Sequence, residues 1–336
     1  MCLIDKIIPY RTPSDGGLSL SGNVHMASDL FPWQVVSGFG SHIRATTTTL
    51  TIQYRGTIRE YPLSSVRHLL IVGGHSVHTS VINHLMREGA CVSFFDADGT
   101  PMGTLRPFGF REDTAIRTLQ QEVPVHSAAV ELVRASLRSR LLMVEKTEEL
   151  LDMALFYEGE QDFLHSAFDQ MEYLIKMDGL RRIHRLTSDM YYEIMARSVP
   201  RDLGFKRRTG RPHRDPVNAM LSLGYALLFG TTLVSLVGAH LDPDIGVLRQ
   251  GDRSLVIDLI DPLKAMMVDR VVFTRAREGM QPGSYECADT RCHLAGRITK
   301  DLVRRLRETI NQEIIDTNIL RYLRFIGKKE DFHFTY

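Results

Sequence analysis

Residues 45–63 read ATTTTLTIQYRGTIREYPL, a run dense in threonine, isoleucine and tyrosine that is interrupted once, at Arg55-Gly56. β-branched and aromatic side chains suit a pleated, half-buried surface, and the Arg-Gly break is placed for a hairpin turn, so the stretch predicts two antiparallel strands. Working outward, VRHLLIVGG (66–74) reads as a buried strand closing on a glycine pair. SVINHLMREGACVSFFDADGTPMG then predicts a short helix, a glycine stop, another strand and a turn at Asp98-Gly99. Beyond Pro107 the period changes. VHSAAVELVRASLRSRLLMVEKTEELLDMALF (125–156) places apolar residues at helical spacing over many turns, and helical patterning continues to the end. The expected fold class is α+β: a β-rich N-terminal domain (1–106) followed by a larger all-α C-terminal domain (118–336).

The chain has 336 residues, more than one average domain, and an apolar content of 43% that supports a sizeable core. Its 41 basic and 40 acidic residues nearly cancel, which excludes a general polyanion-binding surface and leaves nucleic-acid contact to local clusters. Cysteines at 2, 91, 287 and 292 are too scattered for a disulfide framework and fit a reducing cytoplasm. MCLIDKIIPYR, at the start, has no apolar core of signal-peptide length. Residues 219–239, AMLSLGYALLFGTTLVSLVGA, are uncharged and long enough to cross a bilayer. Three glycines, several hydroxyls and the lack of a second such segment instead predict a buried central helix with a break near Gly230, and no membrane association.

Three stretches could carry chemistry. GFKRRTGRPHRDP (204–216) gathers Lys206, Arg207, Arg208, Arg211 and Arg214 in a Gly/Pro-broken loop, a local positive spot suited to DNA phosphates; a solvated linker is the plain alternative. Asp258 and Asp261 stand one helical turn apart in the apolar run LVIDLIDPL. Such a pair can share Mg²⁺ or Mn²⁺, although aspartates at this spacing are common on helix surfaces. Here the flanking Leu, Val and Ile residues imply burial, and buried carboxylates need a cation, either a metal or an arginine. Cys287, Cys292 and His293 make only a partial zinc set, and His75 and His78 near the Gly74 turn read as structural or exposed rather than catalytic.

RPHRDPVNAMLSLGYALL (211–228) followed by HLDPDIGVLRQGDRSLVIDLIDPLKAMMVDRVV (240–272) resembles the CRISPR-associated spacer-acquisition integrase family. Asp215 to Ser222 with Gly224-Tyr225, Leu241-Asp242-Pro243 with Ile245-Gly246, and Ser254-Leu255 with Asp258-Leu259 match successive family elements, and 61–103 agrees more loosely. The resemblance implies a metal-dependent DNA endonuclease and integrase with a dimerising β-rich domain and a helical domain holding the metal site. It further implies a small companion acquisition protein. The family's ligands are a Glu, a His and an acidic residue. In this sequence the His position reads Arg249, the Glu position falls at about Arg185, and both acidic places keep aspartate.

Arginine cannot ligate Mg²⁺ and donates up to five hydrogen bonds, so Arg185 and Arg249 are expected to balance Asp258 and Asp261 in place of the ion. The expectation is a degenerate site on a homodimeric, cytoplasmic, DNA-binding scaffold, taking double-stranded or branched DNA and pairing with the companion protein or an active paralogue. Two alternatives stay open. One is an active Mg- or Mn-dependent enzyme with substitute ligands from His184, Asp189 or Glu193 (the upstream Glu158-Gly159 being too distant); the other is a non-DNA interaction module of a defence system.

Overall fold

The structure, a computed structural model, describes residues 31–110, 114–281, 283–288, 291–328 and 330–336. The opening stretch read for a signal segment, and Cys2 with it, lies outside the described residues. The described residues divide into two compact units, one drawn from 31–122, 234–242 and 326–328, the other from 123–233, 243–325 and 330–336.

The first unit is built on a six-stranded sheet of order β3-β2-β1-β4-β5-β6. Its strands are β1 (Trp33–Ala45), β2 (Thr49–Tyr54), β3 (Thr57–Pro62), β4 (His68–Val77), β5 (Cys91–Phe95) and β6 (Pro101–Leu105). The quoted threonine-rich run forms the β2–β3 hairpin, with Tyr54 opposite Thr57 and both Arg55 (φ 47°) and Gly56 (φ 84°) in the left-handed region. A two-residue turn of that form matches the natural twist of paired strands, which is why a glycine sits there. Helix α1 (Thr79–Arg87) joins β4 to the parallel β5 and buries Val81 and Leu85, four residues apart on one face, in a cluster with Ile43, Leu50, Leu69 and Val92. One boundary differs from expectation. The Gly73-Gly74 pair does not end β4, because both residues stay in the parallel ladder opposite Gly38 and Phe39 and the strand runs on to Val77. Helix α2 (Ala115–Glu122) belongs to the same unit.

The second unit is helical, with α3 (Val125–Leu151), α4 (Glu160–Gln170), α5 (Met177–Ala196), most of α6 (Pro216–Gly238), α7 (Ser254–Ile260), α8 (Arg270–Arg277), α9 (Gly296–Thr309) and most of α10 (Gln312–Lys328). Helix α6 is long and apolar enough to cross a membrane. Its buried Val217, Leu221, Leu228, Leu233 and Leu236 make it a core helix. It runs through Gly230 without the expected break. The cost of about 1 kcal/mol for a helical glycine is small beside the burial of its neighbours.

The hairpin β7 (Tyr285–Cys287) and β8 (Cys292–Leu294) sets Cys287 opposite Cys292, and the two are joined as a disulfide. This is a single link rather than a framework, and it leaves neither sulfur free for a zinc set with His293. The pairing follows from strand register, which a spacing of five residues alone does not disclose.

Candidate functional site: a caged pair of aspartates

The site is assembled at α7 and the irregular chain that follows it. Asp258 lies in the last turn of α7, and Asp261 opens a 3-10 turn (Asp261–Leu263) in which Pro262 has no amide hydrogen to continue the α-helical ladder. A π-helical turn, Ala265–Asp269, comes next. Both aspartates are almost fully buried, at 1% and 4% exposure. A carboxylate there must be compensated.

Asp258 is compensated from the loop before α7. The amides of Val247, Leu248 and Arg249 donate to Oδ2 at 2.8, 2.7 and 3.1 Å, and Arg249 Nη1 donates to Oδ1 at 2.8 Å. Gly246 permits the loop to close this way, since a Cβ there would lie 2.5 Å from the Arg249 carbonyl oxygen.

Asp261 is compensated from two helices and its own turn. On Oδ2 converge Ser136 Oγ and Arg140 Nη2 from α3, each at 3.0 Å, and His184 Nε2 from α5 at 2.6 Å. Oδ1 accepts from Lys264 Nζ at 2.7 Å and lies 3.8 Å from Arg249 Nη2. Burial alone would raise the pKa of Asp261, but Lys264, Arg140 and His184 overcome it and hold the carboxyl well below the usual range. Burial pushes His184 down against the pull of Asp261, so the imidazole is neutral and its Nε2–H is the donor.

A third buried acid lies behind them. Asp269 accepts from Tyr191 Oη at 3.0 Å and from Tyr225 Oη at 2.5 Å, while Tyr192 Oη stands 2.6 Å from Tyr225 Oη. Burial raises the Asp269 pKa to about 6 despite the two tyrosine donors. Between roughly pH 4 and pH 6 the folded chain therefore holds a proton that the unfolded chain has released. Stability due to this group is full at the acid end and falls as pH rises, by about 3 kcal/mol. Urea unfolding across that range is expected to show the decline in the parent and its loss in Asp269→Asn; parallel profiles would contradict it.

Of the residues singled out from sequence, the structure brings Asp258, Asp261 and Arg249 together and leaves Arg185 apart. Arg185 is exposed and makes no hydrogen bond or ion pair with either aspartate among the described residues. One residue along a helix is a rotation of about 100°, so with His184 facing Asp261 its neighbour points outward. The compensation expected of Arg185 comes instead from Arg140 and Lys264, which the sequence reading did not single out, and from His184. Asp189 and Glu193 are both exposed, and Asp189 borders a pocket above the pair; Glu158 is exposed ahead of α4. No group of three or more His, Cys, Asp or Glu side chains suited to a metal ion occurs among the described residues.

The basic loop is ordered on its N-terminal side of α6. Asp215 caps the helix through the Asn218 amide at 2.7 Å. Arg208 bonds Asn218 Oδ1 at 2.8 Å and Ser222 Oγ at 2.6 Å and lies over the Tyr225 ring. Lys206, Arg207, Arg211 and Arg214 are exposed. Arg208 thus turns inward and joins Arg140, Arg181, Arg185, Arg249 and Lys264 around a pocket of about 560 Å³, against only Asp189 and Asp261 as acids.

The β-sheet unit and the helical unit that follows it are shared with solved structures. The chain aligns at TM-score 0.74 with a casposase bound to an integration product, at 15% identity over 90% of this chain and 97% of that one. It aligns at 0.75 with a partial Cas6-RT-Cas1–Cas2 complex, at 16% identity over 90% and 97%. The family model for CRISPR associated protein Cas1 matches residues 34–308, and a Cas1 protein of Methanospirillum hungatei is 36% identical over 285 residues, 84% of this chain and 94% of that one. The chain belongs to the Cas1 family.

Proposed function

We propose that this chain is a DNA-binding member of the Cas1 family in which internal cations replace the divalent ion at the acidic pair, so that endonuclease and integrase chemistry is lost or strongly reduced. The observation carrying this reading is the Asp261 carboxylate, whose oxygens are taken by Arg140, His184, Ser136 and Lys264. A Mg²⁺ or Mn²⁺ ion requires open oxygen lone pairs and is repelled by guanidinium and ammonium groups at the same oxygens. The donor set therefore does not suit the ion, and no step is assigned to one.

DNA contact is assigned to Lys206, Arg207, Arg211 and Arg214, which are exposed on a segment anchored to α6. The likeness to structures bound to an integration product and assembled with Cas2 supports double-stranded or branched DNA and a companion acquisition protein as partners. Within this reading residues 1–106 form a dimerisation domain, 118–336 bind DNA, the protein works in the cytoplasm, and a fully active paralogue supplies the chemistry. One observation favours an active enzyme instead: His184, a neutral imidazole, lies within 2.6 Å of Asp261.

Two measurements test the proposal. Binding of a branched duplex is expected to weaken steeply with salt. Changing Arg207, Arg211 and Arg214 to alanine together should lower the slope of log K against log salt by roughly 2 to 3, near 0.9 per lost phosphate contact. Absence of DNA binding would favour an interaction module. In calorimetry Mn²⁺ should give no tight binding; tight binding abolished in Asp261→Ala, with strand transfer to match, would establish the active enzyme and reject the degenerate site.

A further inference from the structure

The pocket above Asp261 holds more positive charge than the aspartates use. Six cationic side chains border it, and the two acids among its lining residues leave a clear excess. Arg140 is the telling member. Its side chain is 4% exposed, Nη2 is spent on Asp261, and Nη1 is buried with no hydrogen-bond partner. A buried charged donor left without an acceptor is costly, and Arg140 lines the pocket, so the group calls for an anion there. Arg249 contributes a second spare donor: Nη1 is bonded to Asp258, while Nη2 stands 3.8 Å from Asp261, beyond hydrogen-bond reach. Arg185, at the rim, is exposed and makes no bond of its own among the described residues. Three guanidinium groups with unused N–H donors thus border one cavity, and guanidinium forks match the oxygens of a phosphate.

We propose that this pocket is a metal-independent phosphate clamp in which Arg140, Arg185 and Arg249 receive a phosphate group of DNA. The inference rests on the reading that the site carries cations in place of a divalent ion, and it gives those cations a ligand. Lys264 keeps Asp261 neutralised beneath it and His184 holds it by a hydrogen bond, so the phosphate meets a net positive floor rather than a bare carboxylate.

The test uses the full chain in EDTA. Inorganic phosphate followed by calorimetry is expected to bind saturably, and Arg185→Ala, a change at an exposed and unpartnered side chain, should weaken it about tenfold. Arg140→Lys keeps the charge beside Asp261 while removing the fork, and should weaken phosphate at least as much with the circular dichroism unchanged. No phosphate binding, or equal binding by parent and Arg185→Ala, overturns the clamp. Salt-dependent DNA binding measured in parallel separates the two ideas: DNA bound without phosphate in the pocket sinks the clamp alone, whereas tight Asp261-dependent Mn²⁺ binding sinks the reading beneath it. Duplexes with 5′-phosphate and 5′-hydroxyl ends identify the source. Tighter binding of the phosphorylated end marks a terminal monoester, and equal affinities that both fall in Arg185→Ala mark an internal diester; both support the clamp.

Discussion

Asp261→Ala is expected to lower the unfolding free energy by about 3–5 kcal/mol, the usual cost of removing one partner from a buried ion pair. The substitution leaves Arg140, 4% exposed, without its counter-charge, and strips hydrogen bonds from Ser136, His184 and Lys264. Lys264 is 16% exposed and can turn toward water, but Arg140 is sealed in α3. The sign is what makes the measurement decisive. In an acidic centre built for a metal, deleting one carboxylate relieves repulsion and stabilises the metal-free protein. Here deletion must destabilise. Thermal or urea unfolding in EDTA reads the difference directly, and a variant as stable as the parent would refute the cage. Pairing Asp261→Leu with Arg140→Met removes both charges, so the double variant should recover most of the loss, with a coupling of roughly 1–3 kcal/mol. The pH dependence has its own sign. Because the Asp261 carboxyl is held well below its ordinary value, its contribution is complete above about pH 4 and is lost only as pH falls further. That window lies below the one set by Asp269, whose contribution declines as pH rises toward 6.

Much of this architecture was legible because it is periodic. The β2–β3 hairpin follows from alternation and one Arg-Gly turn, and the long helices follow from apolar spacing. The acidic pair was visible too, since aspartates inside LVIDLIDPL have no solvent face to occupy. What failed was pairing at a distance. Arg140 lies 121 residues from Asp261, and Ser136 lies 125. A signal for both existed: on α3 the buried residues Leu132, Val133, Ser136, Arg140, Met143, Val144 and Thr147 share one face, and an arginine in that stripe must meet a buried acid. Reading Arg140 as part of the helix's core face, rather than as one of its many surface charges, would have found it. The choice of Arg185 over His184 turned on a single residue of alignment, and one residue on a helix is enough to exchange inside for outside.

Asp258→Ala should be nearly as costly, about 3–4 kcal/mol, for a different reason. Asp258 does not face the α3 arginine; it fastens a loop. Three consecutive amides, those of Val247, Leu248 and Arg249, converge on a single carboxylate oxygen, and the Arg249 guanidinium takes the other. Alanine removes the acceptor of three amides, two of them on the buried residues Val247 and Leu248. Asp258→Asn keeps one acceptor oxygen for the amides but presents an NH₂ group to Arg249, so it should cost about half as much. Hydrogen exchange distinguishes this from a general loss of stability: amides 247–249 should lose protection beyond the global change. The consequence reaches the pocket, because Leu248 and Arg249 line it and the Leu248 carbonyl accepts from Arg181 Nε at 2.7 Å. Loosening the loop therefore displaces two of the pocket's six cations, and phosphate and DNA affinity should fall together in Asp258→Ala. Unchanged affinity with a freely exchanging loop would mean that the anion site does not depend on the position of Arg249, and the reason given for an aspartate at 258 would fail.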